Sequence, residues 1–288
     1  RTWGQQATPT SWGAVVADWG HGLCDLLDAL PSLRSSSLLV SLSGAAGTAS
    51  ALGPEAADTR AALAEGLGLH DPKRSWHVDR GPILRIADWL VRLTAQLARM
   101  GATLVALTST EIGEVTLGAA GASSTMPQKQ NPVAASALQA LGHQCTGLRA
   151  ALAPATQQMH QRDGAAWFTE WMVLPQIALG TASALQHAVT LSQSMAPQIA
   201  RMTGNLNANL GLIHAEALRF ALARNMPRPE AQAASKALCR EAQETHTELE
   251  TLARAAYPNL PADLFDVTAS LGHAPQAAAD FAARAKAL

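Results

Sequence analysis

Charged side chains are scarce in this sequence. Only 15% of its 288 residues are Asp, Glu, Lys or Arg, and 21 basic and 22 acidic residues leave a net charge of −1. Without a basic excess there is no electrostatic argument for binding nucleic acid or a membrane surface. Because 48% of the residues are hydrophobic, much of the surface is expected to be hidden in a large core or between subunits.

Cysteine is also rare, and no cluster has the spacing of metal ligands. The three cysteines, Cys24, Cys145 and Cys239, are odd in number and far apart in the sequence. We interpret them as reduced thiols of a cytoplasmic protein and predict no metal site. The first residues also lack the charged start and apolar block of a signal peptide.

Strand-like alternation of apolar and polar residues is absent, and helical periodicity takes its place. The clearest pattern is a seam of apolar residues at alternating steps of three and four, which predicts one long helix that begins near Gly81 and Pro82. The seam consists of Ile83, Ile86, Leu90, Leu93, Leu97, Met100, Leu104 and Leu107. Other long helices are predicted over about 11–30, 132–161 and 165–202. Together they predict an all-α fold, a long antiparallel helix bundle.

The helical segments become shorter and more charged after about residue 203. Prolines separate the predicted pieces, which cover about 213–224, 229–252, 261–271 and 275–287. We therefore predict two domains, a bundle domain at 1–203 and a smaller C-terminal helical domain at 204–288.

Residues 171–200 contain no charged side chain. Their many Gln, Ser and Thr residues argue against a membrane span, which needs about 20 predominantly apolar residues. We predict a helix, bent at Pro175, that is buried on all sides. One chain supplies too little cover for it, so a homotetramer around a shared bundle is expected.

The segment 118–132 concentrates chemically active side chains. Two serines, Lys129 and Asn131 lie among Gly, Ala and Pro residues, which predicts a mobile loop. A helix is predicted from Pro132, so Lys129 and Asn131 lie at a helix N-terminus, where backbone N–H groups favour a carboxylate. The alternative is a Ser/Pro-rich connector between two helices.

This loop resembles the signature of the fumarase/aspartase superfamily, roughly Gly-Ser-Ser-x-Met-Pro-x-Lys-x-Asn-Pro, and departs from it only at Ala122. The matching residues are Ser123, Ser124, Met126, Pro127, Lys129, Asn131 and Pro132. The resemblance implies that Ser123 transfers the proton next to a carboxylate, while Lys129 and Asn131 bind and polarise that carboxylate. It places Ser124, Thr125 and Met126 at the substrate.

Residues 1–9 resemble a second block of the superfamily, usually Gly-x-Thr-His-x-Gln-x-Ala-x-Pro. Thr2 and Gln5 match it, but Trp3 replaces the His that takes part in acid–base work in argininosuccinate and adenylosuccinate lyases. An indole N–H donates a hydrogen bond and cannot shuttle a proton at neutral pH. The bacterial 3-carboxy-cis,cis-muconate cycloisomerases carry Arg-Thr-Trp-x-Gln-Gln-Ala here, and segments 110–115 and 167–175 resemble them as well.

That resemblance implies a cofactor-independent cycloisomerase that closes 3-carboxy-cis,cis-muconate to a lactone in the β-ketoadipate pathway. Ser123 and Lys129 would be catalytic, and Thr2, Trp3 and Gln5 would join the substrate-binding residues. The expected partners are a small tricarboxylate and other copies of the chain in a homotetramer with shared sites. The superfamily's N-terminal domain is not found in the sequence, so we expect a fragment of a longer protein.

Two alternatives stay open. Another lyase of the superfamily, such as an adenylosuccinate-type lyase, is disfavoured by Trp3 and by Ser136, where those lyases usually carry Glu. A non-catalytic homologue, like the lens crystallins, is disfavoured by the intact signature loop. Among the remaining polar residues, His77 and Arg80 are either anion-facing or a solvated pair at a helix start, and 160–163 is either near the site or a helix-end charge cluster.

Overall fold

Helices dominate the structure. The computed structural model describes residues 1–118, 121–122, 126 and 129–288. The α-helices are α1 (Trp12–Asp28), α2 (Leu30–Ser37), α3 (Ala56–Leu67), α4 (Gly81–Leu107), α5 (Val133–Leu152), α6 (Gly164–Ser194), α7 (Ile199–Asn207), α8 (Ala215–Leu222), α9 (Arg228–Thr245), α10 (Leu249–Ala256) and α11 (Ala274–Lys286). Strands β1 (Val115–Thr116) and β4 (Ala196–Pro197) pair with each other, as do β2 (Gly121–Ala122) and β3 (Gln130–Asn131). The predicted all-α bundle is confirmed.

Two compact units make up the chain. The first comprises Arg1–Gly20, Leu107–Thr116 and Ala196–Leu288, and the second comprises His21–Ala106 and Leu117–Met195. These are packing units, and the domain boundary between residues 203 and 204 stays a prediction.

The apolar seam of α4 forms as its spacing predicts, from Gly81 to Leu107. Leu93, Leu97, Met100 and Leu104 are buried, whereas Leu90 is half-buried. By length and composition α4 could also cross a membrane. The core helix of a soluble protein has the same length and composition, and Leu93, Leu97, Met100 and Leu104 of α4 are buried inside the protein.

Glycines allow the helices of the second unit to approach closely. A Cβ added at Gly101 of α4 would lie 2.4 Å from the carbonyl oxygen of Ala135 in α5. One added at Gly180 of α6 would lie 2.9 Å from the Cys145 sulfur in α5. Ala87, Leu152 and other apolar side chains of α4, α5 and α6 form a cluster. The missing side chain at Gly101 thus lets α4 lie against the backbone of α5, and the one at Gly180 leaves room for the Cys145 side chain between α5 and α6.

Within one chain, helix α6 is buried on one face only, although its residues 171–194 carry no Asp, Glu, Lys or Arg. The single chain therefore does not provide the burial on all sides that is predicted for residues 171–200. Val173, Ile177 and Leu191 are buried. On the other face large apolar side chains are exposed, namely Phe168, Trp171, Met172, Leu179, Leu185 and Val189. Its low charge therefore reflects an uncovered apolar face as well as a core.

Several predicted helix boundaries are wrong, and proline explains two of them. The helix predicted to reach residue 161 ends at Leu152 and continues as one 3₁₀ turn that contains Pro154. The helix predicted through residue 202 ends at Ser194, because Pro197 pushes the preceding backbone out of the helical region. Residues 261–271, predicted helical, form turns and a short 3₁₀ helix at Ala269–Leu271.

The first unit has an apolar core of its own within the last eighty residues. Buried side chains of α8, α9 and α10 form it, namely Leu218, Leu222, Ala231, Leu238, Ala242, Leu249 and Ala253. The predicted helix over 229–252 is divided here, since His246 has a φ of +53° that ends α9.

Candidate functional site

The ends of the signature loop are joined by a short antiparallel ladder. Gly121 pairs with Asn131 and Ala122 with Gln130, so strands β2 and β3 close the loop at its base. The Lys129 N–H donates to the Met126 carbonyl oxygen at 3.0 Å. The side chains of Met126 and Lys129 are exposed. At these described positions the segment is non-helical, in agreement with the prediction of a loop.

Helix α5 begins directly after this ladder, at Val133, one residue later than predicted. Pro132 is its N-cap and provides no capping side chain, and its first turn carries no acidic residue. The free N–H groups of a helix start attract anions. With the exposed ammonium of Lys129 and the amide of Asn131 just before it, this end of α5 can bind a carboxylate.

Three of the predicted site residues lie outside the described residues. They are Ser123, Ser124 and Thr125, and their assigned roles stay predictions. The described neighbours show only that the chain enters this stretch from β2 and leaves it, after Lys129, into β3.

Three further predicted site residues, Thr2, Trp3 and Gln5, form one tight turn. Thr2 and Gln5 exchange two backbone hydrogen bonds, of 2.9 and 2.8 Å. Trp3 and Gly4 between them both have positive φ, +53° and +76°, the pattern of a type I′ turn. The Trp3 side chain is fully exposed at the tip, where its indole N–H is available to a ligand.

An ion pair lies beside this turn, and sequence reasoning missed it. Arg1 donates two hydrogen bonds to the carboxylate of Glu114, at 2.9 and 2.6 Å, and Asn205 donates a third at 2.8 Å. Burial raises the pKa of Glu114, but these donors and the Arg1 charge outweigh it and hold that pKa below its usual value. Similarity in segment 110–115 was the only available signal, because the partners are 113 and 91 residues apart in sequence.

The lesser candidates have structural roles. Arg80 forms a bidentate, largely buried ion pair with Glu170, at 2.7 and 2.6 Å. Its guanidinium is therefore occupied by Glu170. It is neither free to bind an anionic ligand nor surrounded by solvent, so both interpretations of Arg80 are wrong. Asp163 caps α6 by accepting hydrogen bonds from the N–H groups of Ala165 and Ala166, which agrees with the helix-end interpretation of residues 160–163.

Within the part of the chain that the structure describes, no group of three or more His, Cys, Asp or Glu side chains could hold a metal ion. In the second unit the predicted site residues supply an ammonium and an amide just before the start of α5, and in the first unit the Thr2–Gln5 turn supplies an indole N–H.

Comparison with known proteins points to one group of enzymes. A family model described as "Lyase" matches residues 1–147. The chain is 38% identical over 252 residues to the 3-carboxy-cis,cis-muconate cycloisomerase of Pseudomonas aeruginosa. The alignment covers 86% of this chain and 55% of that relative. The chain thus spans about half the length of this relative.

Solved structures show the same likeness. The 3-carboxy-cis,cis-muconate lactonizing enzyme of Pseudomonas putida superposes with a TM-score of 0.90 at 32% identity, over 99% of this chain and 66% of that one. The β-carboxy-cis,cis-muconate cycloisomerase of Acinetobacter calcoaceticus superposes with a TM-score of 0.88 at 27% identity. The superposition covers 98% of this chain and 65% of that one.

Proposed function

We propose, because this chain belongs to the lyase family of the fumarase/aspartase superfamily, that the whole protein is a cycloisomerase acting on 3-carboxy-cis,cis-muconate. The observation that carries the proposal is Trp3. It stands exposed at the tip of a turn where the superfamily's lyases usually have a histidine. The chain that carries it is 38% identical to an enzyme named for this reaction.

The reaction is an intramolecular addition. One carboxylate oxygen of the substrate forms a bond to a carbon of the conjugated double bond, which closes a five-membered lactone. The electron pair of that double bond moves toward the neighbouring carboxylate, which becomes an aci-carboxylate with extra negative charge. A proton then adds to the adjacent carbon and restores an ordinary carboxylate, so atoms and charge balance without an oxidant or reductant.

Lys129 and Asn131 are assigned to this developing charge. They lie immediately before the start of α5, whose N–H groups have no capping side chain. Donors fixed before the reaction stabilise an oxyanion without reorganisation, and this is usually the largest contribution to catalysis. Ser123 is assigned the transfer of the proton to carbon, with Ser124, Thr125 and Met126 around the substrate.

Trp3 is assigned to binding rather than to proton transfer. Its indole has a single N–H donor and no titratable site near neutral pH. Thr2 and Gln5, which close the turn, present further polar groups beside it. A lactonisation needs one proton-transfer group, so a site without the superfamily's histidine suits it better than an elimination that needs both an acid and a base.

We also propose a cytoplasmic homotetramer with sites shared between subunits. The exposed apolar face of α6 supports the assembly, since exposed patches of this kind mark protein–protein contacts. The three cysteines, all free, fit a reducing compartment.

The test uses the full-length protein and the conjugated tricarboxylate. Lactonisation removes the conjugation, so ultraviolet absorbance should fall with time, and NMR should identify a γ-lactone. No metal or organic cofactor is proposed, so dialysis against EDTA should leave the rate unchanged. A protein that leaves the tricarboxylate intact but cleaves adenylosuccinate would contradict the proposal.

A further inference from the structure

The turn that carries Trp3 has a backbone conformation that needs support. A bulky residue at φ +53° is strained, and such residues persist only where the surrounding structure fixes them. The Trp3 ring cannot supply that support by packing, because its side chain is fully exposed. The fixing contacts must therefore lie at the base of the turn.

Both sides of the base are held by one polar network. On the N-terminal side, Arg1 binds the Glu114 carboxylate through two hydrogen bonds of 2.9 and 2.6 Å. On the C-terminal side, the Gln6 amide donates to the Asn205 carbonyl oxygen at 2.8 Å. Asn205 in turn donates to Glu114 at 2.8 Å, which makes Glu114 the residue where the two sides meet.

The backbone around Glu114 is itself fixed. Its carbonyl oxygen accepts from the Gln198 N–H at 2.8 Å, and Val115 pairs with Pro197 in the β1–β4 ladder. Arg201 donates to the carbonyl oxygens of Glu111 and Ile112, at 2.7 and 2.9 Å. The Glu114 side chain is only 12% exposed. A carboxylate held in this way can fix a flexible segment that binds to it.

We propose that Glu114 is a positioning residue for the cycloisomerase reaction: through Arg1 and Asn205 it fixes the Thr2–Gln5 turn and thereby the place of the Trp3 indole against the substrate. The proposal rests on the proposed function in one respect, the contact of Trp3 with the tricarboxylate. It also assigns Arg1, whose guanidinium is engaged with Glu114, to the support of the turn and not to binding of substrate carboxylate.

The experiment measures the turn and the reaction separately in the full-length protein. Glu114→Gln removes the charge with little change of shape, and Arg1→Gln breaks the same ion pair from its more exposed end. Glu111→Gln is the matched control, because Glu111 lies three residues away and its side chain is exposed. Hydrogen exchange of the peptide that contains residues 2–5 reports the turn, and kcat and KM report the reaction.

We expect Glu114→Gln and Arg1→Gln each to speed exchange at the turn about tenfold or more, while exchange elsewhere stays unchanged. The value of kcat/KM should fall about 10- to 100-fold, as for other misplaced binding groups. The double variant should be no worse than either single one, and Glu111→Gln should match the wild type in both measurements.

Unchanged exchange at the turn in both variants would overturn the proposal, and so would faster exchange with an unchanged kcat/KM. If Glu114→Gln does not fold, Arg1→Gln decides alone. If the wild-type protein fails to consume the tricarboxylate, the proposed function falls. The exchange rates then still decide whether Glu114 fixes the turn.

Discussion

At the scale of single residues, we propose different roles for Ser123 and Lys129 of the signature loop. Ser123→Ala removes the proposed proton-transfer group but no charge. The kcat should therefore fall by roughly 10²–10⁴, the usual size of a general acid–base contribution. Binding of a stable tricarboxylate analogue should stay nearly intact by calorimetry. Ser136→Ala, on the exposed face of α5, is the control, and wild-type turnover of Ser123→Ala would reduce the loop to a binding role.

Lys129→Met tests the proposed binding of the substrate carboxylate by Lys129. The ammonium meets the carboxylate in the ground state and in the transition state, so KM should rise and kcat should fall together. The variant should bind the same analogue poorly in the calorimeter. Lys236→Met, at another exposed lysine, on α9, should behave as wild type. Unaltered binding by Lys129→Met would remove Lys129 from the site.

At the scale of the helices, close approach of α4 and α5 can be tested at Gly101. A methyl group there would meet the Ala135 carbonyl oxygen at 2.4 Å, and the two backbones would have to separate. We expect Gly101→Ala to lower stability by about 1–3 kcal/mol, the usual cost of overpacking. The measurement is the midpoint of urea unfolding of the full-length protein.

Gly147 of α5 provides the matched control. An added Cβ there has no neighbour within 4 Å, so only helix propensity changes. Gly147→Ala should raise stability by roughly 0.5–1 kcal/mol. A Gly101→Ala protein as stable as Gly147→Ala would show that the two helices are not in contact at this point.

The helices also show what the sequence could and could not predict. Periodic apolar spacing predicted α4 correctly, because a buried helix must repeat its contact side chains every three or four residues. It missed α3, where Ala64 is the only buried residue and most side chains are small or polar. The predicted ends of α5 and α6 were wrong because apolar spacing continues past Pro154 and Pro197, where the helices have already ended.

The candidate site, too, could be predicted only in part from the sequence. Fixed residue types at fixed spacing identified the two blocks, since a local motif keeps its order in the sequence. The type I′ turn was not predicted, because Trp-Gly is not one of the Asn-Gly or Asp-Gly pairs that favour it. Glu114 and Asn205 could not be predicted, because no local pattern joins residues so far apart to Arg1.

At the scale of the whole molecule, the proposed assembly can be tested on the exposed face of α6. Leu179 is 71% exposed there, and Leu179→Glu would place a charge inside the proposed subunit contact, where an unpaired charge is costly. Light scattering of the full-length protein should give four subunits for the wild type and fewer for this variant. Leu67→Glu, at an exposed leucine of α3 (59%), should leave the mass unchanged. A wild-type monomer at micromolar concentration would contradict the assembly.

The Glu114 network also sets an order of events during synthesis. It joins residues 1, 114 and 205, so its last member leaves the ribosome 204 residues after its first. At about 5–20 residues per second, this delay is roughly 10–40 s. Until Asn205 emerges, the turn lacks one of the groups that hold its base. A nascent chain therefore carries the Trp3 motif long before it can present that indole in its final position.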